Sequence, residues 1–264
     1  AAFNDLATNQ QSNDTAAAFV RDKIRNIVDD PEVAELLVAK DYPIGTKRIC
    51  VDTNYFETFN RDNVTLVDVR DAPIEEITET GLVTDGRRFE FDAIVFATGF
   101  DAMTGTLLKM DIQGRGGLTL GKKWEAGPRT YLGLMSEGFP NMFMITGPGS
   151  PSVLSNMMVS LQQHVDWVVD SLEYLRSGGL DAIEPLREAE DEWVEHVNAV
   201  AHQTLFPQAN SWYMGANIPG KPRLFMPYIG GVGTYREECD EIVAKGYKGF
   251  RLQKSAHREV TAAE

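Results

Sequence analysis

Residues 92–100, Asp92-Ala93-Ile94-Val95-Phe96-Ala97-Thr98-Gly99-Phe100, decide how the rest of the chain is read. An apolar run with no polar alternation suits a strand covered on both faces, as in a parallel sheet flanked by helices. Thr98-Gly99 ends the run, and the expected seam of the chain falls just after Phe100. Upstream, residues 49–51, 64–69, 74–77 and 89–91 are short, rich in branched or aromatic side chains and separated by Asn, Asp and Gly, so they read as strands. Downstream, residues 142–146 read as a second apolar strand that runs into Gly147-Pro148-Gly149-Ser150-Pro151-Ser152 and then a long helix. The fold class is α/β.

Helices flank this pattern. Phe19, Val20, Ile24, Ile27 and Val28 recur at helical spacing over residues 14–28. Asp30-Pro31 then restarts the chain as a second helix, with Asp at the N-cap and Pro at the first position, where its missing N–H loses no bond. In the long helix after Ser152, Met158, Leu161, Val165, Val168, Leu172 and Leu175 form a stripe expected to pack on a sheet, and Gly178-Gly179 stops it. A further helix over residues 187–205 precedes residues 207–227, a Gly-, Pro- and Asn-rich loop long enough to be functional.

Composition narrows the possible roles. With 39 acidic against 25 basic residues the net charge is -14, which disfavours nucleic acid and anionic membranes as partners. No apolar run approaches the roughly 20 residues that span a bilayer. Cys50 and Cys239 stand in no CxxC, so no disulfide framework or thiolate metal site is expected, and a reducing, cytoplasmic home is. The opening Ala1-Ala2-Phe3-Asn4-Asp5-Leu6 has neither Met nor a leader pattern and reads as cut rather than begun. His196 and His202 do not align on one helix face, and neither GxSxG nor HExxH occurs, so a hydrolase or zinc enzyme is not indicated. His164 reads as a packed or solvated helix residue.

Three features are ambiguous from the residues alone. Gly147 to Ser152 fits G-x-G-x-x-S between a strand and a helix, where a phosphate can sit. Its two prolines remove donors and no acidic strand end follows about 20 residues later, so a tight packing turn fits equally. Lys47-Arg48 is a solvated basic pair or a site, and Trp212-Tyr213 are loop anchors or ligand contacts.

Taken together, Gly45-Thr46-Lys47-Arg48, Phe59-Asn60-Arg61-Asp62-Asn63-Val64, Phe96-Ala97-Thr98-Gly99-Phe100-Asp101, Asn141-Met142-Phe143 with Gly147-Pro148, and Ser211-Trp212-Tyr213-Met214-Gly215-Ala216-Asn217-Ile218-Pro219-Gly220-Lys221 resemble Baeyer-Villiger monooxygenases over nearly the whole chain. Gly147 to Ser152 and Leu154-Ser155-Asn156-Met157 are most similar to the phenylacetone and steroid monooxygenase branch. The family's G-x-G-x-x-G turns for FAD and NADPH, and its His-containing fingerprint, are not in this sequence. The resemblance therefore implies the C-terminal half: parts of two interleaved Rossmann-like dinucleotide-binding domains with a helical insertion. Residues 1–44 would be helical subdomain, 45–100 NADPH-binding domain and 101–264 FAD-binding domain. The implied activity is FAD- and NADPH-dependent oxidation of a ketone by O2 to an ester or lactone through a flavin C4a-peroxide, with the missing N-terminal half as partner.

Site residues follow from the same resemblance. Arg48 is implied as the catalytic arginine, since a guanidinium stays charged and does not give up its proton. A unit cation about 4 Å from an anion at an effective dielectric near 20 is worth roughly 4 kcal/mol. Lys47 would meet the NADPH 2'-phosphate and Trp212 the bound nicotinamide nucleotide, while Gly147, Pro148, Asn156 and Met157 would contact cofactor. Val153, Leu154 and Met157 would line an apolar ketone pocket beside the flavin, with the next helix directing its positive end at the flavin. Competing readings are an N- or S-oxidising flavin monooxygenase, which shares the strand ending in Ala97-Thr98-Gly99, and a noncatalytic half-fold binding module.

Overall fold

Asn9 starts helix α1 (Gln10–Ile27) by accepting hydrogen bonds from the Gln11 and Ser12 amides, donors with no partner inside the helix. Asp30 does the same for α2 (Pro31–Leu37), accepting from Glu32 and Val33. Ile24, Val28, Ala34 and Val38 form the hairpin's core. Fully buried Asn13 ties α1 to the following turn: it donates to the Leu6 and Ile44 carbonyls and accepts from the Ile44 amide. Strands β1 (Ile74–Thr78), β2 (Gly81–Thr84) and β3 (Arg87–Glu90) then make an antiparallel sheet in the order β1-β2-β3.

These elements come from a computed structural model that describes residues 3–254, so Ala1 and Ala2 lie outside the described residues. The chain divides into two compact units, one ending at Phe100 and the other starting at Asp101. Among the described residues its architecture is mixed α/β with two small sheets.

Four expected strands are corrected. Residues 49–51, 64–69 and 93–97 belong to no sheet among the described residues. Val51 is 97% exposed and Val95 87%. A strand exists only where a neighbour satisfies its backbone, and an unalternating one also needs cover on both faces. Nothing among the described residues supplies either to 93–97. Residues 142–146 are likewise not a strand: the Met144 amide donates to the Leu134 carbonyl, and that of neighbouring Asn141 to Ile183, two partners in separate segments.

In the second unit, short helices α3 (Gly105–Leu108) and α4 (Leu120–Lys123) precede α5 (Met157–Gly178), β4 (Ala182–Pro185), α6 (Arg187–His202), α7 (Val232–Ala244) and β5 (Phe250–Gln253). β4 and β5 pair antiparallel, with Ile183 opposite Leu252. Leu132, Leu134, Met135, Trp167, Ile183, Trp193, Tyr235 and Cys239 pack in its main core. Two buried acids hold the turn that follows Thr130. Glu190 accepts from the Glu137 amide and pairs with Lys123 at 2.8 Å. Glu184 accepts from the Gly138 amide and pairs with Arg115 at 2.7 Å. Each enclosed carboxylate thus has a cation and an amide, the condition for keeping a charge out of water.

The expected stripe on α5 is corrected in part. Leu175 is buried and Val168 packs against the main core, whereas Met158, Leu161, Val165 and Leu172 are exposed and the other buried residues are Ser160, His164, Trp167 and Ser171. The helix instead turns inward the face that carries Trp167, whose ring meets Phe143, Tyr247 and Phe250.

Candidate cofactor and catalytic sites

In the first unit, the turn after Pro43 presents two cations. The Thr46 amide and hydroxyl both donate to the Pro43 carbonyl, at 3.2 and 2.6 Å. Gly45 has φ +86°, a left-handed conformation that disfavours a side chain. Lys47 and Arg48 follow directly. The Lys47 ammonium lies 4.3 Å from the centroid of the Tyr42 ring, where the negative ring face attracts it. Lys47 and Arg48, together with Arg21, line a cleft of about 220 Å³ walled by apolar residues such as Ile24, Leu37 and Phe56. Arg21 is braced by donating to the Ala39 carbonyl at 2.8 Å. None of the described lining residues is acidic, in a chain whose net charge is -14. Three cations among the described lining residues fit an anion such as a phosphate.

In the second unit, the turn from Gly147 to Ser152 spends its donors inward. The Gly149 amide donates to the Met226 carbonyl at 2.7 Å and the Ser150 amide to Gly147 at 3.2 Å, while Pro148 and Pro151 have none. A Cβ on Gly147 would lie 2.5 Å from the Gly133 carbonyl oxygen, and one on Gly149 2.9 Å from the Thr130 hydroxyl oxygen. Close backbone approach therefore accounts for these glycines. Asn156 caps α5 by accepting from the Met158 amide at 3.1 Å. Met157 is 41% exposed at the start of that helix. Val153, Leu154 and Trp212 pack in one cluster around buried Ala201, Tyr213 and Phe225. Residues far apart in sequence thus form one apolar cluster, with the Trp212 and Tyr213 ring centroids 4.3 Å apart.

His164 is a packed group. Its Nδ1 accepts from the Thr146 amide at 2.8 Å and its Nε2 lies 3.1 Å from the Tyr235 oxygen. Tyr235 donates to the Leu132 carbonyl, so Nε2 carries the proton and the ring is neutral. Burial pushes its pKa down to about 4.

Sequence reasoning assigned no role to Arg21, Tyr42, Asp101 or Lys221. Tyr42 stands five residues before Lys47, a separation with no periodic signature in an irregular turn. Asp101 and Lys221 form an ion pair at 2.6 Å between distant segments, which no local pattern announces. Among the described residues no group of three or more His, Cys, Asp or Glu side chains is placed to hold a metal ion. No helix of the described residues is long and apolar enough to cross a membrane.

No family model matches the sequence. The acetone monooxygenase (methyl acetate-forming) of Gordonia sp. (strain TY-5) is 46% identical over 96% of this chain and 48% of its own length. A Baeyer-Villiger monooxygenase of Pseudooceanicola batsensis is 44% identical over 97% of this chain and 46% of its own. Among solved structures, an oxidized steroid monooxygenase bound to NADP is 54% identical with a TM-score of 0.88, over 96% of this chain and 47% of that one. These proteins are monooxygenases. The chain is similar to them along nearly all its own length, one of them a named Baeyer-Villiger monooxygenase, and spans about half the length of the relatives it matches. One relative is named for another oxidation: the phenazine N-monooxygenase PhzNO1 of Lysobacter antibioticus, 40% identical over 95% of this chain and 46% of its own length.

Proposed function

We propose that this chain works as about half of an FAD- and NADPH-dependent Baeyer-Villiger monooxygenase, acting on a ketone and O2 and inactive alone. The observation that carries the reading is the Lys47-Arg48 pair lining one cleft with Arg21, in a chain 46% identical to a ketone-oxidising relative. FAD supplies the oxygen chemistry and NADPH the hydride when bound. Lys47 is suited to a phosphate as a compact point charge, and the charge is already held over Tyr42. Arg48 offers a fixed positive charge to a developing oxyanion without surrendering a proton. Val153, Leu154 and Met157 keep water from a ketone, Trp212 covers the bound nicotinamide nucleotide, and Gly147, Pro148 and Asn156 border the cofactor.

In this reading the two units are the closing parts of an NADPH-binding and an FAD-binding Rossmann-like domain, with the α1–α2 hairpin as a helical insertion. Polypeptide outside this chain supplies the missing nucleotide turns, the strand partners of residues 93–97 and the cover for the outer face of α5. A cytoplasmic setting agrees with the two free cysteines, Cys50 and Cys239.

The deciding experiment is Arg48→Ala in the complete enzyme. Flavin reduction by NADPH is expected to persist while ester or lactone formation drops by about a thousandfold, the equivalent of roughly 4 kcal/mol. An undiminished ester yield would overturn the assignment. The phenazine relative makes N-oxidation the second reading: a complete enzyme that oxidises an N-heterocycle and leaves ketones untouched favours it. Flavin retained by this chain alone would instead support a self-standing binding module.

A further inference from the structure

Lys221 stands near the end of the irregular loop that carries Trp212, and Asp101 is the residue with which the second unit begins. The Lys221 ammonium donates to the Asp101 carboxylate at 2.6 Å and to the Ala102 carbonyl at 2.9 Å. The lysine side chain is 10% exposed and that of Asp101 32%. An ammonium so enclosed depends on its acceptors, because out of water an unpaired charge is costly. Asp101 is itself confined: a Cβ on Gly105 would come within 2.5 Å of its carboxyl carbon.

The loop between these points is closed on itself. The Ala216 amide donates to the Ser211 carbonyl at 3.1 Å and the Met226 amide to Tyr213 at 2.9 Å. Gly215, at φ +69°, has no room for a Cβ, which would lie 2.9 Å from the Pro222 oxygen. These bonds tie the two sides of the loop together, and Lys221 joins it to Asp101 along a cleft of about 300 Å³ bordered also by Thr104, Trp124, Pro219 and Pro222. We propose that Lys221, by gripping Asp101, is a positioning residue that sets the resting place of this loop and so of Trp212. Its bearing on catalysis rests on the role proposed for Trp212 above.

Amide hydrogen exchange on this chain tests the grip without any cofactor. Lys221→Met keeps an unbranched side chain, one atom shorter, and removes the charge. Exchange in peptides covering residues 211–226 is expected to quicken by about tenfold, with α5 unchanged. Asp101→Asn, which spares the Ala102 hydrogen bond, is expected to give a smaller increase, and Lys221→Arg is expected to restore protection. Unchanged exchange in Lys221→Met overturns the grip. If that variant fails to fold, unchanged exchange in Asp101→Asn overturns it instead. In the complete enzyme the same variants should release more peroxide for each NADPH consumed, and a quickened loop with unaltered coupling overturns the positioning role. Should the unsubstituted complete enzyme oxidise no ketone, the proposed function fails while the exchange result still decides the grip.

Discussion

Along α5, the inward face carries Ser160, His164, Trp167, Ser171 and Leu175, all buried, while the outward face carries Met158, Leu161, Val165, Val169 and Leu172, all at least 38% exposed. A helix at the surface of a self-sufficient domain has the reverse distribution, with its apolar stripe against the core. The same contrast divides the chain as a whole. The turn after Thr130 is anchored by buried Glu184 and Glu190 with matched cations, while residues 93–97 join no sheet among the described residues, with Val95 87% and Phe96 67% exposed. Exposed apolar groups gathered on one face mark a surface meant for something else. The inward contacts hold the unit together, and the outward ones await cover.

The largest effect should come from Trp167→Ala. Trp167 is 4% exposed and its ring meets Phe143, Tyr247 and Phe250. Truncating an aromatic at such a site costs about 3 to 5 kcal/mol, read as a fall in the urea midpoint at constant slope. A loss below about 1 kcal/mol would place it among ordinary surface changes and break the contrast between the faces.

Next in size is the pH dependence carried by His164. Its folded pKa of about 4 lies below the ordinary 6.5 because burial disfavours the charged ring. As pH falls from 6.5 towards 4, the unfolded chain binds a proton that the folded one does not, so stability drops over that window and levels below it. The loss approaches about 3 kcal/mol. Urea unfolding at pH 7 and pH 4.5 measures it, and His164→Gln should flatten the difference. An unflattened slope would mean that other groups carry it and that the inward face is not sealed from water at His164.

How much could be read in advance depended on how local each cause is. Asp30-Pro31 announces the start of α2 because cap and first turn lie side by side, and the structure has that cap. Residues 93–97 show the opposite case: strand pairing is a property of neighbours, and the run's composition says only that it wants to be covered on both faces. For α5 the three-four rhythm correctly gave a helix, but which face turns inward was settled by Trp167 and by His164 bonding to Thr146 and Tyr235, none of which the count of apolar residues weighed. The candidate site divides in the same way. Lys47 and Arg48 stood out through the family resemblance, whereas Tyr42 beneath Lys47, Arg21 across the cleft and the Lys221–Asp101 pair emerge only when distant segments meet.

The smallest expected effect sharpens the comparison most, because it concerns the face that should matter least to this chain by itself. Val165 and Val169 are 39% and 46% exposed on the outward side. Replacing both with Ser removes little buried area, so stability should change by no more than about 0.5 kcal/mol per site, mainly from helix propensity. Self-association should fall at the same time, since a smaller apolar patch has less to gain from burial against another copy. Sedimentation measures the second effect beside urea unfolding for the first. A cost near that of Trp167→Ala would mean that these valines are packed within this unit, and the outward face would then need no partner.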